Sequence, residues 1–199
     1  MTMTKKETIQ QRRMMNIRAA EKTDTEEMIV EGYAVRFDEP TVLWEYDGKK
    51  YYEVIDKHAL DGTDMSDVPF KYNHSDNLMI MAKSKSKTLQ FMIDEQGLFV
   101  RASLANTTAG RDLYELIKRG DIDKMSFAFT FSEEDYDYET RTSRITKIDR
   151  LWDVAAVDIP AYDTTSISAR SFYKLEKEKE QKLKREAELR EKLILQTYL

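Results

Sequence analysis

The chain has 199 residues, 41% of them hydrophobic and 35% charged, with a formal net charge of −5 at pH 7. That length supports one domain of ordinary size plus an appendage, and the mild negative balance gives no reason to expect binding to a nucleic-acid backbone or an anionic membrane surface as the main task. The absence of cysteine and the presence of two histidines exclude a disulfide framework, a thiol nucleophile, a Cys-built zinc site and a His-rich metal cluster, leaving Ser, Thr, Lys, Asp, Glu, His58 and His74 to carry any chemistry.

Residues 1–26 are polar, with like charges at Lys5, Lys6, Arg12 and Arg13 and no periodic apolar pattern. They read as a mobile N-terminal arm, with order beginning near Glu27. The basic start lacks the apolar segment of a signal peptide and no later stretch is apolar for long enough to span a bilayer, so the expectation is a soluble cytosolic protein. MIVEGYAVRF alternates and stops at the turn signal DEP, which predicts a first strand. Further strands are predicted at KKYYEVI (49–55), VPFKY (68–72), LMIMAKS (78–84), TLQFMI (88–93) and LFVRASL (98–104), with DEQG (94–97) as a hairpin turn. Short strands at this spacing predict a β sheet or barrel core.

One helix interrupts them, at about 108–119. Thr107 or Thr108 is a candidate N-cap, Leu113, Leu116 and Ile117 lie on one face, Lys118 and Arg119 fall in the last turn, and Gly120 follows. Strands resume with KMSFAFTFSEE and RITKIDRLWDVAAVDI, the latter as one bent strand or two. Residues 172–199 then form a Lys/Glu/Leu/Arg tail, with no Gly or Pro. Its propensity predicts a charged helix, and its sparse apolar positions favour a solvated single helix over a coiled coil.

In KMSFAFTF, alternation puts Met125, Phe127, Phe129 and Phe131 on one face and the small residues Ser126, Ala128 and Thr130 on the other. The small face could make room for the 108–119 helix, or it could leave space for a substrate, with Ser126 as nucleophile. A serine hydroxyl needs a base to remove its proton. Of the two histidines, His74 follows a strand and would be held by a rigid element, whereas His58 lies in a polar connection, which makes His74 the better base. In RLWDVAAVDI, Asp153 shares a face with Leu151, Ala155 and Val157, and a carboxylate in an apolar row demands a partner. That partner is either a histidine it orients or a structural cation such as Arg150 or Lys147.

The order EGYAVRFDEP (31–40), EVIDKHAL (53–60), YNHSDN (72–77), DEQGLFVRASLANTTAGRDLYELIKRGDIDKMSFAF (94–129) and LWDVAAVDIPAYDTTSISAR (151–170) resembles the prohead maturation proteases of tailed bacteriophages. The likeness covers about residues 28–170. It implies a mainly β (α+β) fold similar to the herpesvirus assemblins, a β-barrel flanked by helices, with 27–171 as the protease domain and 172–199 as the helical tail. It carries a catalytic histidine onto His74, a nucleophilic serine onto Ser126 and an acidic residue, often Glu in relatives, onto Asp153. KHAL at 57–60 departs from the family's Gly-Ala-Phe-like segment, which makes His58 a local substitution. The resemblance further implies no cofactor, a major capsid or scaffold protein as substrate, self-cleavage, a homodimer like that of the assemblins, and action inside the immature capsid in the host cytoplasm. An oxyanion donor is expected near IPAYDTT, with Arg170 one candidate. A second class of reading is a catalytically silent assembly protein that keeps the fold and uses the C-terminal helix as an interaction arm.

Overall fold

The computed structural model describes residues 11–20, 27–77, 79–158 and 185. In chain order they form β1 (Gln11–Asn16), β2 (Arg18–Ala19), β3 (Ile29–Arg36), β4 (Thr41–Tyr46), β5 (Lys49–Ile55) and β6 (Pro69–Tyr72). There follow β7 (Ala82–Lys83), β8 (Leu89–Ile93), β9 (Gly97–Ser103), α1 (Thr108–Arg119), β10 (Lys124–Asp137) and β11 (Thr142–Val157). The predicted tail helix and the expected oxyanion donor lie outside the described residues, apart from Arg185. No helix among the described residues is long and apolar enough to cross a membrane.

The strands make two sheets. One runs β1-β10-β11-β5-β4, with β6 and β7 attached to β11; the other runs β2-β3-β9-β8. The mainly β class agrees with the sequence reading. The expected barrel differs from what these strands form: neither sheet closes on itself, and a single helix, α1, flanks them among the described residues. Short strands at close spacing indicate a β fold, but closure depends on whether the outer strands meet, and that pairing is non-local.

Arg144–Val157 of RITKIDRLWDVAAVDI belong to one continuous strand. β10 and β11 pair antiparallel along their length, with register shifts from Ala128 to Glu134 that let so long a ribbon bend. The far edge of β11 is shared: Thr142–Ile145 pair parallel with Tyr52–Ile55 of β5, and Val154–Ala156 pair parallel with Phe70–Tyr72 of β6. The apolar face of β10 supplies Met125, Phe127 and Phe129 to the core, where they join Phe70, Leu98, Ile145, Ile148 and Leu151. Each large side chain buried in this way contributes about 2–3 kcal/mol relative to exposure.

Two departures from the sequence reading concern the ends of the strand series. Order does not wait for Glu27: β1 pairs with β10 from Gln11 onward, and β2 pairs with β3. Two of the cations in this stretch are accommodated because they meet acids. Arg13 forms an ion pair with Glu53, which is buried, and Arg18 lies 3.2 Å from Glu31. Ile17 between the two strands is buried, and its amide donates to Asp123 O at 2.9 Å. The passage from one sheet to the other runs so close over Gly32 that a Cβ there would collide with the Asn16 carbonyl. In contrast, the predicted strand 78–84 shrinks to Ala82–Lys83, with Met79 and Ile80 exposed. Apolar content alone does not hold a strand, and β6 offers β7 only the partners Pro69 and Phe70.

The helix takes the expected bounds. Thr107 Oγ1 accepts from Gly110 N at 3.1 Å, and Gly120 adopts φ 83° to return its amide to Ile117 O at 3.0 Å. Leu113 and Ile117 are buried, and the helix packs against β2 and β3.

Candidate active site

The small face of β10 receives a histidine. Ser126 lies opposite Ala155 of β11 and Ala128 lies opposite Asp153, so Ser126 and Asp153 occupy the two corners of one diagonal. Diagonal neighbours across a strand pair are about 7–8 Å apart, a gap that an imidazole with one hydrogen bond at each nitrogen can span. The other two corners are alanines, both fully buried, and their small side chains leave the ring its space. His74 Nε2 lies 2.8 Å from Ser126 Oγ, and His74 Nδ1 is hydrogen-bonded to Asp153 Oδ1.

The chemistry of the partners assigns the protons. A carboxylate only accepts, so Nδ1 donates to Asp153 and Nε2 is left to accept from the Ser126 hydroxyl. All three groups are withdrawn from water: Ser126 is 3% exposed and Asp153 5%, and the His74 side chain is 7% exposed. Burial of the Asp153 carboxylate is tolerable because both of its oxygens have partners. Lys71 Nζ lies 3.6 Å from Oδ2, on the side away from His74.

A tight turn brings His74 back over the sheet. Asn73 and His74 both adopt left-handed backbone, φ 51° and 53°, and Ser75 N donates to Tyr72 O at 3.0 Å. Two successive residues at positive φ make a turn of the type I′ kind, in which Asn is among the best-tolerated residues. The turn is tied to the end of β11. Asn73 N donates to Ala156 O at 2.9 Å, Asn73 Nδ2 to Asp158 Oδ1 at 2.8 Å, and the Tyr72 hydroxyl to Asp158 Oδ2 at 2.6 Å. That last bond, with burial and the Asp158 charge behind it, raises the Tyr72 phenol above its ordinary pKa.

Sequence comparison matches residues 13–180 to the family described as caudovirus prohead serine protease. The chain belongs to that family. Comparison with curated proteins returns no match, and neither does comparison with solved structures. Membership makes the chain a serine protease of phage capsid maturation, with capsid proteins as its implied substrates and the prohead in the host cytoplasm as its implied place of action. The family match opens at Arg13, within β1.

Among the described residues, those weighed for the prohead-protease site each have a definite place. Ser126, His74 and Asp153 come together, whereas His58 is exposed on the 56–63 loop with Nδ1 3.2 Å from Asp61 Oδ2. The cations considered for Asp153 are engaged elsewhere: Arg150 stacks on Trp152 and reaches toward Asp64, and Lys147 lies opposite Glu133. The helix suggested as the occupant of the small face packs on β2 and β3. Sequence reasoning missed Lys71, Asn73 and Asp158. The parallel register of β6 on β11 brings them to the site, and no local pattern encodes that pairing.

Proposed function

We propose that the protein cuts capsid scaffold segments, and itself, by acyl transfer with Ser126 as nucleophile, His74 as general base and acid, and Asp153 as the group that orients His74. The observation that supports this best is the position of one imidazole between a serine hydroxyl and a carboxylate, with each nitrogen facing the partner its role requires. His74 Nε2 takes the Ser126 proton as Oγ bonds to the scissile carbonyl carbon. The imidazolium then gives that proton to the leaving amine as the C–N bond breaks. Water, deprotonated by the same nitrogen, attacks the acyl ester and releases Ser126. Asp153 keeps the proton on Nδ1 through the cycle and stabilises the imidazolium while it lasts.

Self-cleavage belongs outside the paired strands, before Gln11 or after Asp158. A cut inside that range would remove β1 from Ser126's own strand or Asp158 from the turn that holds His74. The test is coexpression with the cognate capsid protein, following both chains by intact mass beside Ser126→Ala. Cleavage of the capsid protein by the wild-type chain and none by the variant is the expected result. Identical cleavage by both would overturn the assignment of Ser126.

A further inference from the structure

One partly buried cation at the site has no part in the steps above. Lys71 stands in the same row across the sheet as Ser126 and Ala155, its side chain only 17% exposed. Its ammonium lies 3.6 Å from Asp153 Oδ2 and donates to Asp76 Oδ1 at 2.6 Å. Burial pulls its pKa down, but the hydrogen bond to Asp76 and the charges of Asp153 and Asp76 outweigh that, and the net displacement is upward. Lys71 is therefore charged wherever the protease works. Asp76 is displaced downward by the same contact, first through the Lys71 hydrogen bond and charge, with Arg12 of β1 adding to it.

We propose that Lys71 is a positioning residue of this site: it fixes the plane of the Asp153 carboxylate so that Oδ1 meets His74, and its charge keeps the resting imidazole in the form that can accept a proton. This rests on the reading of Ser126, His74 and Asp153 as the catalytic set. The physical grounds are two. A carboxylate held at one oxygen turns about its Cβ–Cγ bond, whereas one held at both oxygens does not. A positive charge inside a poorly solvated site also makes a second positive charge there harder to form. The charged and titratable groups around His74 are Asp153 from β11, Ser126 from β10, Lys71 from β6 and Asp76 from its own turn. Beyond them lie Arg12, acting on Asp76, and Asp158, engaged by Tyr72 and Asn73. Lys71 is the cation against Asp153, and Asp76 partly offsets its charge.

With two histidines in the chain, the imidazole proton resonances can be assigned by NMR using His58→Gln, so His74 is followed directly whether or not a substrate is in hand. Lys71→Met should move the pH midpoint of the His74 resonance upward by about half a unit to one unit. Lys71→Arg should stay near the wild-type midpoint, and Asp76→Asn, at a largely exposed side chain, should move it downward. The acid limb of Ser126 labelling by a fluorophosphonate probe should follow the same order. A His74 midpoint that stays put in Lys71→Met overturns the proposal. Should that variant not fold, a midpoint unchanged or raised in Asp76→Asn overturns it instead. Failure of the wild-type chain to label at Ser126 would count against the catalytic reading, and the NMR midpoints would still decide whether Lys71 governs His74.

Discussion

β5 and β6 are near-equivalent pieces of chain with different outcomes. Both run parallel to β11, one along its first half and one along its second, and each is followed by a histidine. Each even ends on the same kind of bond: Asp56 N donates to Ile145 O at 2.9 Å, and Asn73 N donates to Ala156 O at 2.9 Å. After β5, the Asp56 carboxylate accepts from His58 N at 2.9 Å, and the chain turns with His58 facing solvent. After β6, two left-handed residues fold the chain back, and His74 lands on the strand pair above two alanines, between a serine and an aspartate. A histidine at the end of a strand becomes a candidate base through the handedness of the next two residues and through what the neighbouring strand presents beneath it.

The strongest way to break this contrast is to exchange the histidines' fates. His74→Asn, which keeps a residue tolerant of positive φ, should lower capsid-protein cleavage by about a million-fold, the loss expected when the base of a serine triad is removed. Asp153→Asn keeps the shape but permits the wrong imidazole tautomer, and should lower kcat by about 10,000-fold with little change in KM. Comparable activity in either variant would show that the contacts seen here do not serve catalysis.

Smaller effects sharpen the contrast at the level of the turns. Asn73→Ala places a Cβ-bearing residue without Asn's side-chain bonds at φ 51° and cuts the tie to Asp158. Thermal unfolding should show a loss of about 2 kcal/mol, with kcat reduced more than KM because His74 is less well held. Asn73→Gly should recover most of the stability and less of the kcat.

In the β5 turn, Asp56 has its pKa lowered, first by the hydrogen bond from the His58 amide and then by Arg144 against the opposing effect of burial. A carboxyl depressed in the folded state stabilises the fold above its unfolded pKa and loses that contribution as pH falls through the folded value. Asp56→Ala should therefore reduce stability by about 1 kcal/mol at neutral pH, with the difference from wild type closing in acid. Smallest of all, His58→Gln should leave cleavage within about twofold, as expected for an exposed residue away from such features. A large loss there would end the distinction between the two histidines.

Much of the fold is legible because local signals suffice for it. β5 takes the bounds that alternation predicts, α1 takes those its caps predict, and the DEQG turn forms where Asp94 Oδ1 accepts from the amides of Gln96 and Gly97. β4 is absent from the predicted strands although the Asp47–Gly48 pair after it is a hairpin signal, with both residues at positive φ. β1 left no such signal, since its residues Gln-Arg-Arg-Met-Met-Asn hide their strand character until Glu53 is there to receive Arg13. Ser126, His74 and Asp153, the candidates named from the likeness, lie within hydrogen-bonding reach through His74. The groups around them, Lys71, Asn73 and Asp158, act through pairings between β6 and β11 that no short window contains.

By itself, then, the sequence determined where elements such as β5 and α1 form and which residue types could do acyl-transfer chemistry, because propensity, capping and alternation act within a few residues of each other. It also carries the family, in an ordered set of motifs spread along the chain. Only the tertiary structure decided that the described strands form two open sheets where the likeness implies a barrel, that Gln11–Asn16 of the expected arm form an edge strand, and that Asp153 has Lys71 and not Arg150 or Lys147 on its second oxygen. These are outcomes of register between strands far apart in the chain. Register is a competition among many pairings of similar local quality, settled by the packing of the whole core.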